Sequence, residues 1–140
     1  MSTPTALVKQ GPVVVTVDDD PGIVRIIELL LSRNGYTVKT AANAEKALEV
    51  LRTTVPAALI LDVQMPGMSG YDLCKKVKGE KRLEHVPVIF LTAQGAPQDF
   101  KAGHVAGAVL YMVKPFKPEK LLQVVRMVAP TGAEHPVGGG

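Results

Sequence analysis

Five polar side chains in this sequence close, or directly follow, short runs of Val, Ile and Leu. They are Asp18, Asp19, Asp62, Thr92 and Lys114, and the runs cover residues 13–17, 58–61, 88–91 and 110–113. Three carboxylates, a hydroxyl and an ammonium suit a divalent cation together with a phosphoryl group. This chemistry requires a fold that brings the five positions together.

The four apolar runs have the length and composition of strands that are buried on both faces of a parallel sheet. Segments with helical periodicity alternate with them, which is typical of a doubly wound α/β domain. In such sheets, sites form outside the carboxyl ends of the strands, at the point where the strand order reverses. We therefore expect the five polar side chains to converge at one edge of the sheet.

Apolar residues at helical spacing predict the helices between these strands. The stripe of the first helix, which begins at Pro21, comprises Ile23, Ile26, Ile27 and Leu30. A second strand is predicted over 36–40, a helix after the N-cap Asn43, and a helix that starts at Ser69 or Gly70. A last helix begins at Pro118. Glycines weaken the remaining helix, which is predicted over 98–105.

The acidic residues after the first strand have different predicted roles. Asp20 precedes Pro21 and is interpreted as the N-cap of the first helix. Asp18 and Asp19 repel each other beside a buried strand, and a cation such as Mg²⁺ would compensate them. Asp62 is a further candidate ligand, or a nucleophile that forms an acyl phosphate. Lys114 could neutralise phosphoryl oxygens, and Thr92 could donate a hydrogen bond to one.

Length and composition favour one globular domain. The chain has 140 residues, of which 46% are apolar and 21% charged, as in folded rather than disordered proteins. We predict a domain over residues 12–129, with flexible segments at 1–11 and 130–140. Cys74 is the only cysteine, so no internal disulfide is expected and a cytoplasmic location is favoured.

Charge and hydropathy argue against two classes of partner. No apolar stretch approaches 18 residues, so no membrane partner or span is expected. The net charge is +3, but the basic residues are dispersed, apart from a modest cluster over 75–82. Because this cluster has no interleaved aromatic residues, we expect no direct nucleic-acid binding.

Four strings of residues resemble the receiver domain of two-component response regulators, as in chemotaxis regulators. They are Val17-Asp18-Asp19-Asp20, Leu61-Asp62-Val63-Gln64-Met65-Pro66-Gly67-Met68-Ser69-Gly70, Leu91-Thr92-Ala93 and Tyr111-Met112-Val113-Lys114-Pro115-Phe116. The Asp-x-x-Met-Pro-x-x-x-Gly and Lys-Pro-Phe strings are specific together, in this order and spacing. The resemblance covers residues 13–128.

The resemblance implies a flavodoxin-like fold, with five parallel strands in the order 2-1-3-4-5 and five helices. It also implies that Asp62 accepts a phosphoryl group from a histidine kinase or a phosphotransfer protein. Asp19, Asp62 and the backbone carbonyl of Gln64 would hold Mg²⁺, with Asp18 acting through water. Lys114 would pair with phosphorylated Asp62, and its bond to Pro115 is expected to be cis. The protein would then be a switch, not an enzyme in the ordinary sense.

In this family, Thr92 is drawn toward the phosphoryl group and Tyr111 moves into the space behind it. The surface of the predicted fourth helix, the fifth strand and the last helix then changes, and an effector protein or a second copy binds it. Val109 and Leu110 stand where the family often has polar residues, so we expect this surface to be more apolar here. Gln64 and Gln94 flank the phosphoryl position and are expected to tune its lifetime.

Three other functions fit parts of this pattern. A haloacid-dehalogenase-like phosphatase would need a second acid two residues after Asp62, where Gln64 stands. A flavin-binding module would need a Ser/Thr/Gly-rich phosphate loop after the first strand. The remaining alternative is a receiver-like interaction scaffold that works without phosphorylation. The sequence leaves open whether the chain acts alone or is part of a larger regulator or hybrid kinase.

Overall fold

The computed structural model describes residues 11–93 and 110–131. Their strands form one parallel sheet in the order β2-β1-β3-β4-β5. The strands are β1 (Val13–Val17), β2 (Thr37–Ala41), β3 (Ala58–Asp62), β4 (Val88–Thr92) and β5 (Leu110–Val113). This order confirms the predicted doubly wound, flavodoxin-like fold. The strand order reverses between β1 and β3, which places the switch point there.

Four helices lie in the described part of the chain: α1 (Pro21–Ser32), α2 (Ala44–Thr53), α3 (Gly70–Lys78) and α4 (Pro118–Val128). The helix predicted over 98–105 lies outside the described residues, so α4 denotes the last helix. The flexible segments predicted at 1–11 and 130–140 also lie almost wholly outside them. No helix among the described residues is long and apolar enough to cross a membrane.

Side-chain caps fix where the first three helices begin. Asp20, Asn43 and Ser69 each have extended backbone and accept a hydrogen bond from a backbone N–H in the first turn. This confirms the N-cap predictions for Asp20 and Asn43. It also makes Ser69 the cap and Gly70 the first helical residue of α3.

Two local predictions were wrong. Ile26 is 48% exposed, whereas Ile27 and Leu31 are the buried residues of α1. Adjacent helical residues are about 100° apart around the axis, so Ile26 cannot share the inward direction of Ile27. The second strand spans Thr37–Ala41 instead of residues 36–40, because the backbone N–H of Tyr36 donates to the carbonyl oxygen of Leu31 at the end of α1 and not to the neighbouring strand.

Helices cover both faces of the sheet. Alternate strand residues point to opposite faces, as in β1, where Val15 packs with α2 and α3 while Val14 packs with α1 and α4. Since β3 lies in the middle of the sheet, all five of its residues are buried. The central position of β3 thus buries Asp62 at its carboxyl end.

Candidate functional site

Three carboxylates meet at the carboxyl ends of the neighbouring strands β1 and β3. Asp18 and Asp19 follow β1 directly, and Asp62 is the last residue of β3. One carboxylate oxygen from each lies within 4.8 Å of the other two. The structure thus brings these three residues together as the sequence predicted.

The two carboxylate oxygens of Asp18 have different surroundings. Asp18 is 2% exposed, and its Oδ1 accepts a hydrogen bond of 2.9 Å from the backbone N–H of Asp20. Its Oδ2 lies 3.0 Å from Nζ of Lys114, an ion pair that lacks the direction of a hydrogen bond. Within the described residues Oδ2 has no hydrogen-bond partner, so this buried oxygen keeps the capacity to bind a further donor or a cation.

Lys114 is the cation that faces this cluster in the described part of the chain. Its Nζ lies between Oδ2 of Asp18, at 3.0 Å, and Oδ1 of Asp62, at 3.1 Å. Its backbone N–H donates to the carbonyl oxygen of Thr92, 2.7 Å away, which holds the residue beside the end of β4. Burial acts to lower the pKa of Lys114, but its close contacts with the negatively charged Asp18 and Asp62 outweigh burial and raise the pKa. The ammonium therefore stays charged.

Asp62 is held in an environment that disfavours its charge. Burial raises the pKa of Asp62 to about 6; the hydrogen bond from Lys114 opposes this shift, and the charges of Asp18 and Asp19 add to it. Among the described residues, the ammonium of Lys114 faces three carboxyl groups, and one positive charge cannot compensate all three. Because Mg²⁺ prefers carboxylate oxygens and keeps several waters, this donor set fits it well.

Three other residues were predicted to act at this site: Thr92, Gln64 and Gln94. Thr92 is the last residue of β4 and is fully buried. Gln64 is exposed in the loop between β3 and α3, while Gln94 lies outside the described residues. The Lys114–Pro115 peptide bond is cis, as the resemblance implied.

The start of α3 approaches the end of β3 closely. The backbone N–H of Gly70 donates to the carbonyl oxygen of Val63 at 2.9 Å. A Cβ atom on Gly70 would lie 2.2 Å from the carbonyl oxygen of Asp62, far inside contact distance. Only glycine allows α3 to begin at this distance from the acidic cluster.

Tyr111 belongs to an aromatic cluster that sequence reasoning missed. Its ring centroid lies 5.4 Å from that of Phe90 and 6.5 Å from that of Tyr71, and Tyr71 contacts Phe90 edge-on at 5.0 Å. The hydroxyls of Tyr71 and Tyr111 are hydrogen-bonded to each other. An aromatic residue directly after Gly70 was the available signal, but its partners depend on the sheet register, which pairs Phe90 with Tyr111.

An open depression of about 320 Å³ adjoins the acidic cluster. Asp18 and Asp19 form one side of it, and residues of α1 and the end of β2 form the other. Asp19 is the exposed member of the cluster, so the depression opens the cluster to solvent on this side, beside the switch point where α/β folds of this type bind their ligands.

The sequence profile of the family described as "Response regulator receiver domain" matches residues 14–126. A protein of Pyropia yezoensis described as "Probable transcriptional regulator ycf27" is 43% identical over 115 residues, which are 82% of this chain and 46% of that protein. Response regulator Rre1 of Synechocystis is 37% identical over 111 residues, 79% of this chain and 48% of that protein. The chain therefore spans about half the length of the curated relatives it matches.

A solved structure agrees with these relatives. Chemotaxis protein CheY4 of Vibrio cholerae superimposes with a TM-score of 0.82 at 33% identity, covering 84% of this chain and 98% of that one. The family profile and this likeness both extend over the sheet that carries the acidic cluster. This chain belongs to the family of response regulator receiver domains, the signalling switches of two-component systems.

Proposed function

We propose that this protein is a phosphoacceptor switch in which Asp62 takes a phosphoryl group from a phosphohistidine. The donor would be a histidine kinase or a phosphotransfer protein of the cytoplasm. The observation that carries this proposal is the position of Asp62 at the end of the central strand, where it meets Asp18 and Asp19 and lies 3.1 Å from the ammonium of Lys114. Membership of the receiver family supports it.

The same cluster would hold Mg²⁺. Asp19, Asp62 and the backbone carbonyl of Gln64 are the proposed ligands, and Asp18 would act through a bound water. When bound, Mg²⁺ supplies positive charge to the carboxylates and to the phosphoryl oxygens. Two features of this chain would be relieved by such a charge: the buried Oδ2 of Asp18, which has an ion pair with Lys114 but no hydrogen-bond partner, and the raised pKa of Asp62.

In the transfer, a carboxylate oxygen of Asp62 forms a bond to phosphorus while the bond between phosphorus and the donor's imidazole nitrogen breaks. The electrons of that bond stay on the nitrogen, and the ring leaves as a neutral imidazole because its other nitrogen carries a proton. The carboxyl group must be ionised to attack, and with a pKa of about 6 it is mostly ionised at pH 7 and above. The ammonium of Lys114 would offset part of the charge of the resulting acyl phosphate.

The output follows from the added charge. A phosphoryl group on Asp62 brings about −1.5 to −2 charges and strong acceptor oxygens, to one of which Thr92 would donate a hydrogen bond. We propose that Tyr111 moves in response and that an effector protein or a second copy binds the output surface. We define the output surface as the predicted helix 98–105, β5 and α4. Within it, Val113 is 50% exposed, which favours an apolar contact.

The decisive experiment is incubation with Mg²⁺ and acetyl phosphate, followed by intact-mass measurement. We expect one phosphoryl adduct on the wild type and no adduct on Asp62→Asn. We also expect no adduct on the wild type when EDTA removes the metal before acetyl phosphate is added. Absence of an adduct on the wild type, or an equal adduct on Asp62→Asn, would contradict the proposal and favour an interaction scaffold that works without phosphorylation.

A further inference from the structure

We propose that Tyr71 is a positioning residue for Tyr111. Its hydroxyl holds Tyr111 in the resting arrangement and, through the start of α3, connects Tyr111 to the loop that follows Asp62. This inference rests on the proposed function, because it concerns how phosphorylation of Asp62 reaches Tyr111. It adds a route through α3 to the route through Thr92.

The first step of this route is the contact between β3 and α3. The backbone N–H of Gly70 donates to Val63, the residue after Asp62, and the Cα of Gly70 lies too close to the backbone of Asp62 to accept a Cβ. Tyr71 is the next residue of α3. Because these two backbone segments are in direct contact, a displacement of the loop that follows Asp62 also displaces the backbone of Tyr71.

The second step is the contact between Tyr71 and Tyr111. The two hydroxyls are hydrogen-bonded, and both rings rest on Phe90, which is fully buried in β4. Phe90 is thus a fixed support, whereas both tyrosines are only half-buried. This difference favours motion of the tyrosines relative to Phe90.

The hydroxyl contact occurs together with direct contacts between Lys114 and the acidic cluster. In the same structure, Nζ of Lys114 contacts both Asp18 and Asp62, and this is the arrangement that the proposal takes as the resting state. Since the proposed switch moves Tyr111, it breaks the hydrogen bond to Tyr71, so removal of that bond should shift the equilibrium toward the activated state. A hydrogen bond between neutral groups corresponds to about a two- to tenfold change in an equilibrium constant.

The test compares Tyr71→Phe with wild type by titration with beryllofluoride, a phosphoryl mimic, in the presence of Mg²⁺. Labelling with 3-fluorotyrosine gives one fluorine resonance for each of the three tyrosines, and the Tyr111 resonance reports the switch. Tyr71→Phe keeps the ring contact with Phe90 and removes only the hydroxyl. Tyr36→Phe is the matched control, because it removes a buried tyrosine hydroxyl that bonds to Ala129 instead.

We expect Tyr71→Phe to bind beryllofluoride two- to tenfold more tightly than wild type and to shift the Tyr111 resonance before the ligand is added. Tyr36→Phe should leave the affinity unchanged. In a Tyr111→Phe background, Tyr71→Phe should have no further effect, because the hydrogen bond is already absent.

Three results would overturn the inference while leaving the proposed function intact. They are unchanged affinity in Tyr71→Phe, weaker affinity in that variant, and an undiminished effect in the Tyr111→Phe background. If the wild type itself shows no Mg²⁺-dependent response to beryllofluoride, the proposed function fails, and this inference fails with it.

Discussion

At the residue scale, the site is a group of charges that the fold holds together against their mutual repulsion. The ionised form of Asp62 is disfavoured, since Asp62 is buried beside two other acids and its counter-charge among the described residues is the ammonium of Lys114. A buried charge of this kind lowers the stability of the protein and is typical of functional sites.

This penalty predicts the pH dependence of stability in the metal-free protein. The pKa of Asp62 is about 6 in the folded state against a model value of 3.8, so between these pH values the folded protein binds more protons than the unfolded chain. Stability contributed by the protonated carboxyl is therefore present below about pH 4, is lost as the pH rises to about 6, and does not change further above that.

We expect Asp62→Asn, measured in EDTA at pH 8, to raise the free energy of unfolding by about 1–3 kcal/mol. The advantage should shrink as the pH falls from 6 to 4, and urea unfolding at several pH values measures both effects. The asparagine keeps an acceptor for Lys114 and removes the buried charge. A variant less stable than wild type at pH 8 would show that the ion pair with Lys114 outweighs the burial penalty.

At the element scale, the close packing of the start of α3 against the end of β3 determines where the loop after Asp62 lies. Ser69 caps α3 by accepting a hydrogen bond from the backbone N–H of Asp72, and Gly70 lets the first turn touch the end of β3. The helix start is thereby fixed beside Asp62, the proposed phosphoacceptor. This arrangement explains why a glycine closes the motif that follows Asp62.

Gly70→Ala tests that fit. A Cβ 2.2 Å from the carbonyl oxygen of Asp62 must displace backbone, so we expect a loss of about 1–3 kcal/mol in the free energy of unfolding. We also expect a marked loss of labelling by acetyl phosphate. Urea denaturation and intact-mass measurement check the two effects.

Gly79→Ala is the matched control at the other end of α3. Its backbone is αR, and the nearest atom to a new Cβ is the carbonyl oxygen of Lys75 at 3.3 Å. We expect a change within about 0.5 kcal/mol and normal labelling. Equal behaviour of the two variants would mean that the contact between Gly70 and Asp62 has no special role.

At the scale of the whole molecule, the site differs in charge from the rest of the chain. The protein has a net charge of +3, yet the edge formed by β1 and β3 concentrates three carboxylates. A cation bound there would join the ends of two central strands and oppose their separation. Metal binding should therefore be visible in global stability.

We expect Mg²⁺ to raise the melting temperature of the wild type by binding the folded state alone. At ten times the dissociation constant, this linkage amounts to about 1.4 kcal/mol, or roughly 3–6 °C for a domain of this size. Calorimetry with and without EDTA measures it. The rise should diminish below pH 6, where protons compete for Asp62, and should be small in Asp62→Asn. An equal rise in that variant would place the cation elsewhere.

Local sequence determined most of the architecture. Apolar runs fixed the strands, and caps at Asp20 and Asn43 fixed helix starts, because these signals act over a few residues and need no distant partner. Strand-end positions also predicted that Asp18, Asp19 and Asp62 converge, since parallel strands end at a common edge. The helix over 98–105 lies outside the described residues and remains a prediction.

Tertiary structure decided what depends on register and packing between distant segments. Ile26 is exposed because of the side of α1 that packs against the sheet. Periodicity alone did not decide which of the adjacent residues Ile26 and Ile27 lies on that side. The bridging of Asp18 and Asp62 by Lys114, and the bond between Tyr71 and Tyr111, each join residues at least 40 positions apart. The sequence supplied the chemical groups of this site, and the sheet register determined their neighbours, because side-chain contacts across strands depend on alignment that no local pattern encodes.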